Sequence, residues 1–398
     1  MSAPLFASIA LPTELLLGLL AVAGIAVISA ECLRRIGLSG APMAAGVLVG
    51  ILLGPGVAGR IIPDRWTSTF EGPPTLLAAA TAASRERDAL LFALGDPSVI
   101  GADSSEALAT LERAAREADA AWSLARERHR NAGGFVLLGL AAIVLLASGG
   151  ATSVRAPVRR HQRTEAFVHA LWWCAAGVGG AALLLWVRGD ALLTTGSCLI
   201  GAAACCGPWC IGREDRLLAE GVVPEGGPLL EQSGRIANIL ALTLAAAALL
   251  LREELPHRAA CLIVLCLLPI GWLVRMRLAS VAERVALPAL VAILCLSVEP
   301  FRDIGFLLPL AMYVVLEDAR WIGGWIGLRL SERAGLTDAA RITFASLTVE
   351  PLIVVFVAVG TVTGSLSPEL AGSALLGATG IAILSKARRQ VALHLADA

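Results

Sequence analysis

Charge is what this chain has least of. Only 16% of its 398 residues are Asp, Glu, Lys or Arg, against 57% hydrophobic residues and a mean hydropathy of +0.76. So little charge excludes an ordinary soluble domain and fits a chain that crosses a membrane many times. The 32 basic and 32 acidic side chains cancel, so nothing in the balance favours nucleic acid or an anionic surface as a partner. The start, MSAPLFASIALPTE, lacks the basic region and cleavage site of a removed signal peptide, and the first apolar run is expected to stay as a helix. Enzyme signatures are missing as well. There is no hydrolase nucleophile set, zinc-protease motif or phosphate loop, so no catalysis and no cofactor are expected.

A disulfide framework is also absent. The nine cysteines lie in or beside apolar runs, none falls in the polar stretch 62–132, and no CxxC occurs. In CLIGAAACCGPWC, residues 198–210, Cys206 and Cys210 stand one helical turn apart, a spacing that suits Cu(I) or Zn. No His lies nearby, and a small thiol packs well between membrane helices, so no metal is expected there.

What is present is a series of apolar runs. They predict an all-α, polytopic membrane protein with about eleven transmembrane helices, within a range of 11–13. Two helices fall in residues 1–61 and the remainder in 133–398, with a soluble helical-hairpin insertion over 62–132 between them. Within the insertion Leu108, Leu111, Ala115, Ala118 and Trp122 recur at helical spacing, and Asp103-Ser-Ser-Glu106 reads as an N-cap. The hairpin turn is expected near GDPSVIGADSS, and its charges are read as a solvated face. Arginines in the loops set the orientation. Those after odd-numbered helices, from Arg34 and Arg35 to Arg388 and Arg389, outnumber Arg188, Arg252, Arg258 and Arg302 in the short even loops. That bias places the N-terminus outside and the C-terminus in the cytoplasm. Glu31 reads as an end-of-helix partner for Arg34 and Arg35, and His169, beside Trp172 and Trp173, as an interfacial residue.

Three segments carry a resemblance. They are LRRIGLSGAPMAAGVLVGILLGPGVAG (33–59), LLASGGATSVRAPVRRHQRTEAF (145–167), and the stretch 317–370 that begins EDARWIGG and ends GSLSPEL. In the order of basic helix end, Gly-rich helix, Arg-rich loop and buried-charge helices, the chain resembles the monovalent cation:proton antiporter superfamily. The resemblance implies antiporter-like inverted repeats in which two discontinuous helices cross at mid-membrane. The breaks would be Gly207-Pro208 and Pro351, where proline removes a backbone donor. It also implies exchange of Na+ or K+ for protons by an integral protein of a bacterial inner membrane, with the lipid bilayer as surroundings and a homodimer as the expected assembly. Carried over by position, Arg320 and Glu350 occupy the family's buried basic and acidic sites. The family's sixth-helix Asp is replaced within Ser233, Gly234 and Arg235. Glu350 is one candidate counter-ion for Arg320, and Glu317 and Asp318 on the same helix are others. Loss of the acid leaves a second reading open, a transport-inactive scaffold or sensor that uses the 62–132 insertion to bind a partner.

The loop charges make a direct prediction. A cysteine placed in residues 62–132 reacts with an impermeant thiol reagent added outside intact cells, and one placed after Lys386 reacts only once the membrane is opened. Labelling of the 62–132 cysteine from the cytoplasmic side alone would reverse this topology.

Overall fold

The computed structural model describes residues 12–94, 102–151, 160–192, 194–206, 226–274, 279–298, 307–330 and 351–394; within these, some side chains, that of Arg320 among them, are not described. All the regular structure among the described residues is helical. Among the described residues six helices are long and apolar enough to cross a membrane: Thr13–Arg35, Ala41–Ile61, Leu108–Ala147, Thr164–Arg188, Gln232–Leu250 and Pro368–Ser385. The chain is thus compatible with an integral membrane protein. Other apolar runs of the sequence fold as shorter helices, Thr195–Cys205, Arg258–Gly271 and Pro351–Val362. Two more contain π-helical turns, at Ala282–Ala286 and Val315–Ala319.

Two compact units divide the chain, one of Met1–Ala21 and Val57–Val136, the other of Val22–Gly56 and Leu137–Ala398. The insertion read as 62–132 lies within the smaller. There α4 (Pro63–Phe70) sets Trp66 and Phe70 one turn apart, with ring centroids 5.4 Å apart. A Cβ at Gly18, on the first helix α1 (Thr13–Arg35), would stand 3.3 Å from the Phe70 ring. After α4, Gly72 adopts φ 134, open only to glycine, and turns the chain beside Trp122, while Glu71 pairs with Arg126 at 3.6 Å. Helix α5 (Pro74–Leu94) and the start of α6 (Ala102–Ala151) carry solvated pairs such as Arg116 with Glu112, four residues apart. Helix α6 runs without a break across residue 132, so the insertion ends inside a helix and not at a loop. The expected turn at 95–101 lies outside the described residues.

The larger unit is built by backbone contact. Helix α2 (Ala41–Leu53) lies on α13 (Leu287–Val298), and Gly46 and Gly50 make the contact. A Cβ at Gly46 would stand 2.6 Å from Val291 Cβ and 2.8 Å from the Pro288 carbonyl oxygen. Helix α15 (Arg320–Leu330) lies on α7 (Arg160–Arg188) in the same way, through Gly323 and Gly327. In both, small residues four apart let two backbones approach, the device of helices that have no hydrophobic drive to associate in lipid. Helix α13 and helices α8 (Thr195–Cys205) and α16 (Pro351–Val362) are buried almost throughout. On α1 both faces are apolar: Leu15, Leu19, Val22, Ala26 and Ala30 are buried, and Leu17, Leu20, Ile25 and Ile28 are exposed. Apolar residues on both faces suit a helix that touches protein on one side and lipid on the other. At its end Glu31 pairs with Arg34, and with Arg35 at 3.5 Å, as the sequence suggested.

Gly46→Leu should lower thermal stability in detergent by about 1–3 kcal/mol or more, the usual cost of overpacking a filled contact. Gly24→Ala, where an added Cβ meets nothing within 4 Å, serves as control and should leave the melting curve unchanged. Equal melting of both variants would mean that α2 and α13 do not rest on this contact.

Candidate ion site and buried charge pair

Helix α8 begins at a sequence-encoded cap, with Thr194 Oγ1 accepting from the Ser197 N–H at 3.1 Å. It ends after 11 residues, a rise of roughly 16 Å, about half of a hydrocarbon core. Helix α16 is described over Pro351–Val362. The two short helices lie side by side. Gly196, at the start of α8, has no room for a Cβ beside the Ser365 carbonyl just past α16. Gly360, near the end of α16, approaches Leu199 of α8, with a Cβ there 3.3 Å from Leu199 Cδ1. The start of α8 therefore meets the end of α16, and the pair is antiparallel. The C-terminal end of α8, at Cys205, lies away from that contact. The end of α8 presents partly negative carbonyls there. Gly207 and Pro208, which follow α8, and Glu350, which precedes α16, lie outside the described residues.

The C-terminal end of α8 is held by its neighbours α7 and α9 (Gly226–Leu250). Trp173 Nε1 donates to the Cys206 carbonyl at 3.1 Å. The Cys174 thiol lies 3.8 Å from the Cys205 carbonyl oxygen and 3.9 Å from that of Ala237 on α9, and the Cys205 thiol lies 3.5 Å from the Cys174 carbonyl oxygen. Gly177 allows this approach, because a Cβ there would collide with the Ala204 carbonyl. Of the three α9 positions singled out in the sequence, Ser233 and Gly234 are buried and Arg235 is half-buried. Asn238, one turn on, is also buried. Gln232 keeps a buried side-chain oxygen with no hydrogen-bond partner among the described residues. None of these positions supplies a carboxylate.

The charged residues of the ninth apolar run separate. Glu317, only 4% exposed, sits in the π turn Val315–Ala319, which packs on α7, α8 and α17 (Pro368–His394). Its partner is Arg388 of α17, itself 6% exposed, which also donates from Nη2 to the Ile381 carbonyl at 2.9 Å. Asp318, the next residue, is exposed. Arg320 opens α15, and whether it meets Glu350 falls outside the described residues. Arg388 had read as one more cytoplasmic flanking arginine, and nothing local to its sequence marks it as the partner of a buried acid.

His169 corrects the sequence reading. Expected at the interface, it is fully buried. Glycine at 327 lets α15 close over it, with a Cβ there 3.0 Å from His169 Cδ2, and the ring lies 5.7 Å from that of Trp173. Cys174 and Asn238 were likewise missed, because each gains its meaning from a neighbouring helix. Among the described residues no group of three or more His, Cys, Asp and Glu side chains is placed to hold a metal.

Breaking a buried ion pair from one side typically costs about 3–5 kcal/mol. Glu317→Gln should therefore lower the melting temperature clearly, and adding Arg388→Gln should restore much of the loss, as read by thermal unfolding in detergent. Two independent, additive losses would show that the pair is not a unit.

No family model and no curated protein matches the chain.

Proposed function

We propose that the chain is a membrane secondary transporter exchanging Na+ or K+ for protons across a bacterial inner membrane, with its N-terminus outside and its C-terminus in the cytoplasm. The observation that supports the reading is α8, a helix of 11 residues that stops at Cys205 with its last turn fully buried, packed between α7, α9 and α16. Broken helices within the hydrocarbon region are tolerated where they are buried in protein or line a cavity, and in transporters such ends form the ion site. Glu350, the residue before Pro351 in sequence, is the carboxylate proposed to carry the proton, and Arg320 the cation that sets its proton affinity. Glu317 is given a structural role, since Arg388 already neutralises it.

A second reading is favoured by one feature of the same site. Ser233, Gly234 and Arg235 stand where the resemblance places a cation-binding acid, and none of them is a carboxylate. In that reading the fold is a transport-inactive scaffold or sensor, and the 62–132 insertion is its extracytoplasmic contact surface.

Proton flux separates the two. Purified protein reconstituted into vesicles with a trapped pH dye should show a pH change on addition of Na+ or K+, and Glu350→Gln should abolish it while the melting temperature stays near that of the parent. Absence of any cation-dependent pH change in vesicles that contain folded protein would select the scaffold reading.

A further inference from the structure

We propose that Cys174 of α7 and Cys205 of α8 form a two-thiol site for a soft monovalent d10 cation, Cu(I) or Ag(I). The argument starts from position. Each side chain rests against the backbone of the other residue, Cys205 Sγ 3.5 Å from the Cys174 carbonyl oxygen and Cys174 Sγ 3.8 Å from that of Cys205. Neither thiol is in a disulfide, and both lie at the same contact of α7 with α8. Their juxtaposition is fixed by the backbone. Gly177, one turn beyond Cys174, admits the Ala204 carbonyl with no space for a side chain, which brings the residue after Ala204 up against α7. Both cysteines are buried, with 8% and 2% of their surface exposed. Cys206 does not join them, because its thiol turns back to the Ala202 carbonyl of its own helix at 3.5 Å.

The donor set decides the class of ion. Hard cations such as Na+, K+ and Mg2+ are held by several oxygens, whereas thiolate sulfur selects Cu(I) and its soft relatives. A d10 monovalent ion accepts two ligands, so a pair suffices where three or four donors are not available. The charge balance also fits a buried place. Two thiols and one M+ give a thiolate–M–thiol complex and one H+: two M–S bonds form, one S–H bond breaks, and its proton leaves to water. The metal keeps its oxidation state. The product is neutral, which a site with little water tolerates far better than a net charge. Binding is independent of the exchange reading above, and it is measured in detergent without any gradient.

The test uses the reduced full-length protein and silver nitrate alone, in chloride-free buffer, with bound ions counted by native mass spectrometry. Cys174→Ser, Cys205→Ser and the double variant should each bind one ion fewer than the parent, all by the same amount, while Cys206→Ser keeps the parent's number at that site. Should the serine variants not fold, the parent itself decides: silver should protect Cys174 and Cys205 together from alkylation, as mapped on peptides. Unchanged ion counts in the variants, loss of two ions in the double variant, or protection of only one of the two thiols would overturn the proposal.

Discussion

A helix that stops inside an apolar interior leaves carbonyl oxygens that water does not reach, and the larger unit is organised around satisfying them. At the end of α8 every solution comes from a named neighbour. The Cys206 N–H turns back to the Ala203 carbonyl at 3.3 Å, and the Cys206 carbonyl accepts the Trp173 indole. The Cys205 carbonyl has the Cys174 thiol beside it, a weaker donor. Trp173 is fully buried and among the largest such side chains. Its indole N–H makes it useful here in a way Phe would not be, because a buried tryptophan wants an acceptor and α8 offers one.

These caps reach their targets only because the helices touch backbone to backbone. Gly177 admits the Ala204 carbonyl, Gly196 that of Ser365, Gly323 that of Trp172, and Gly377 the backbone of Tyr313. In a bilayer the lipid is as apolar as leucine, so burying more side chain gains little, whereas close backbone approach adds dispersion contacts and shortens the reach of polar groups. The same economy explains why thiols and alanines fill α8, where bulkier residues would push the helix away from α7 and uncap it. Stability and site geometry therefore rest on the same small residues.

Much of this was legible in the sequence, but unevenly. The Gly-rich pattern of α2 and the interruption expected at Gly207-Pro208 are local signals; α8 ends at Cys205, just before it, while Gly207, Pro208 and the residues before Pro351 lie outside the described residues. The end-of-helix pair at Glu31 is local too, since three and four residues along a helix share a face. Arg388 is different. Its neighbours in sequence, Lys386 and Arg389, are the expected flank of a membrane helix, and only the packing of α17 on the π turn turns Arg388 toward Glu317. His169 sits beside two tryptophans, which is an interfacial pattern; the glycine that buries it is 158 positions later, as the numbers 327 and 169 give. The end of the insertion was hidden for a third reason. Composition changes near residue 132, yet α6 continues through it, because helical hydrogen bonding is indifferent to whether side chains are charged or apolar.

The buried charges then narrow where a mobile ion can act. Arginine near a helix end ordinarily extends toward water, but Arg388 turns inward, which is favourable only if an anion waits there and the remaining donors find acceptors. Glu317 is that anion and the Ile381 carbonyl one of those acceptors. A carboxylate so neutralised attracts a passing cation weakly, so Glu317 cannot both hold α17 against the π turn and serve as an open cation site. On α9 the corresponding positions offer an amide, a hydroxyl and a guanidinium, none of them a counter-charge for a cation. Among the groups described around the end of α8, what remains for a positive ion is sulfur and backbone carbonyl oxygen. A hard ion there also needs the Glu350 carboxylate proposed above, whereas a soft one needs only two thiols, and the packing of α7 on α8 sets each of these against the carbonyl of the other residue.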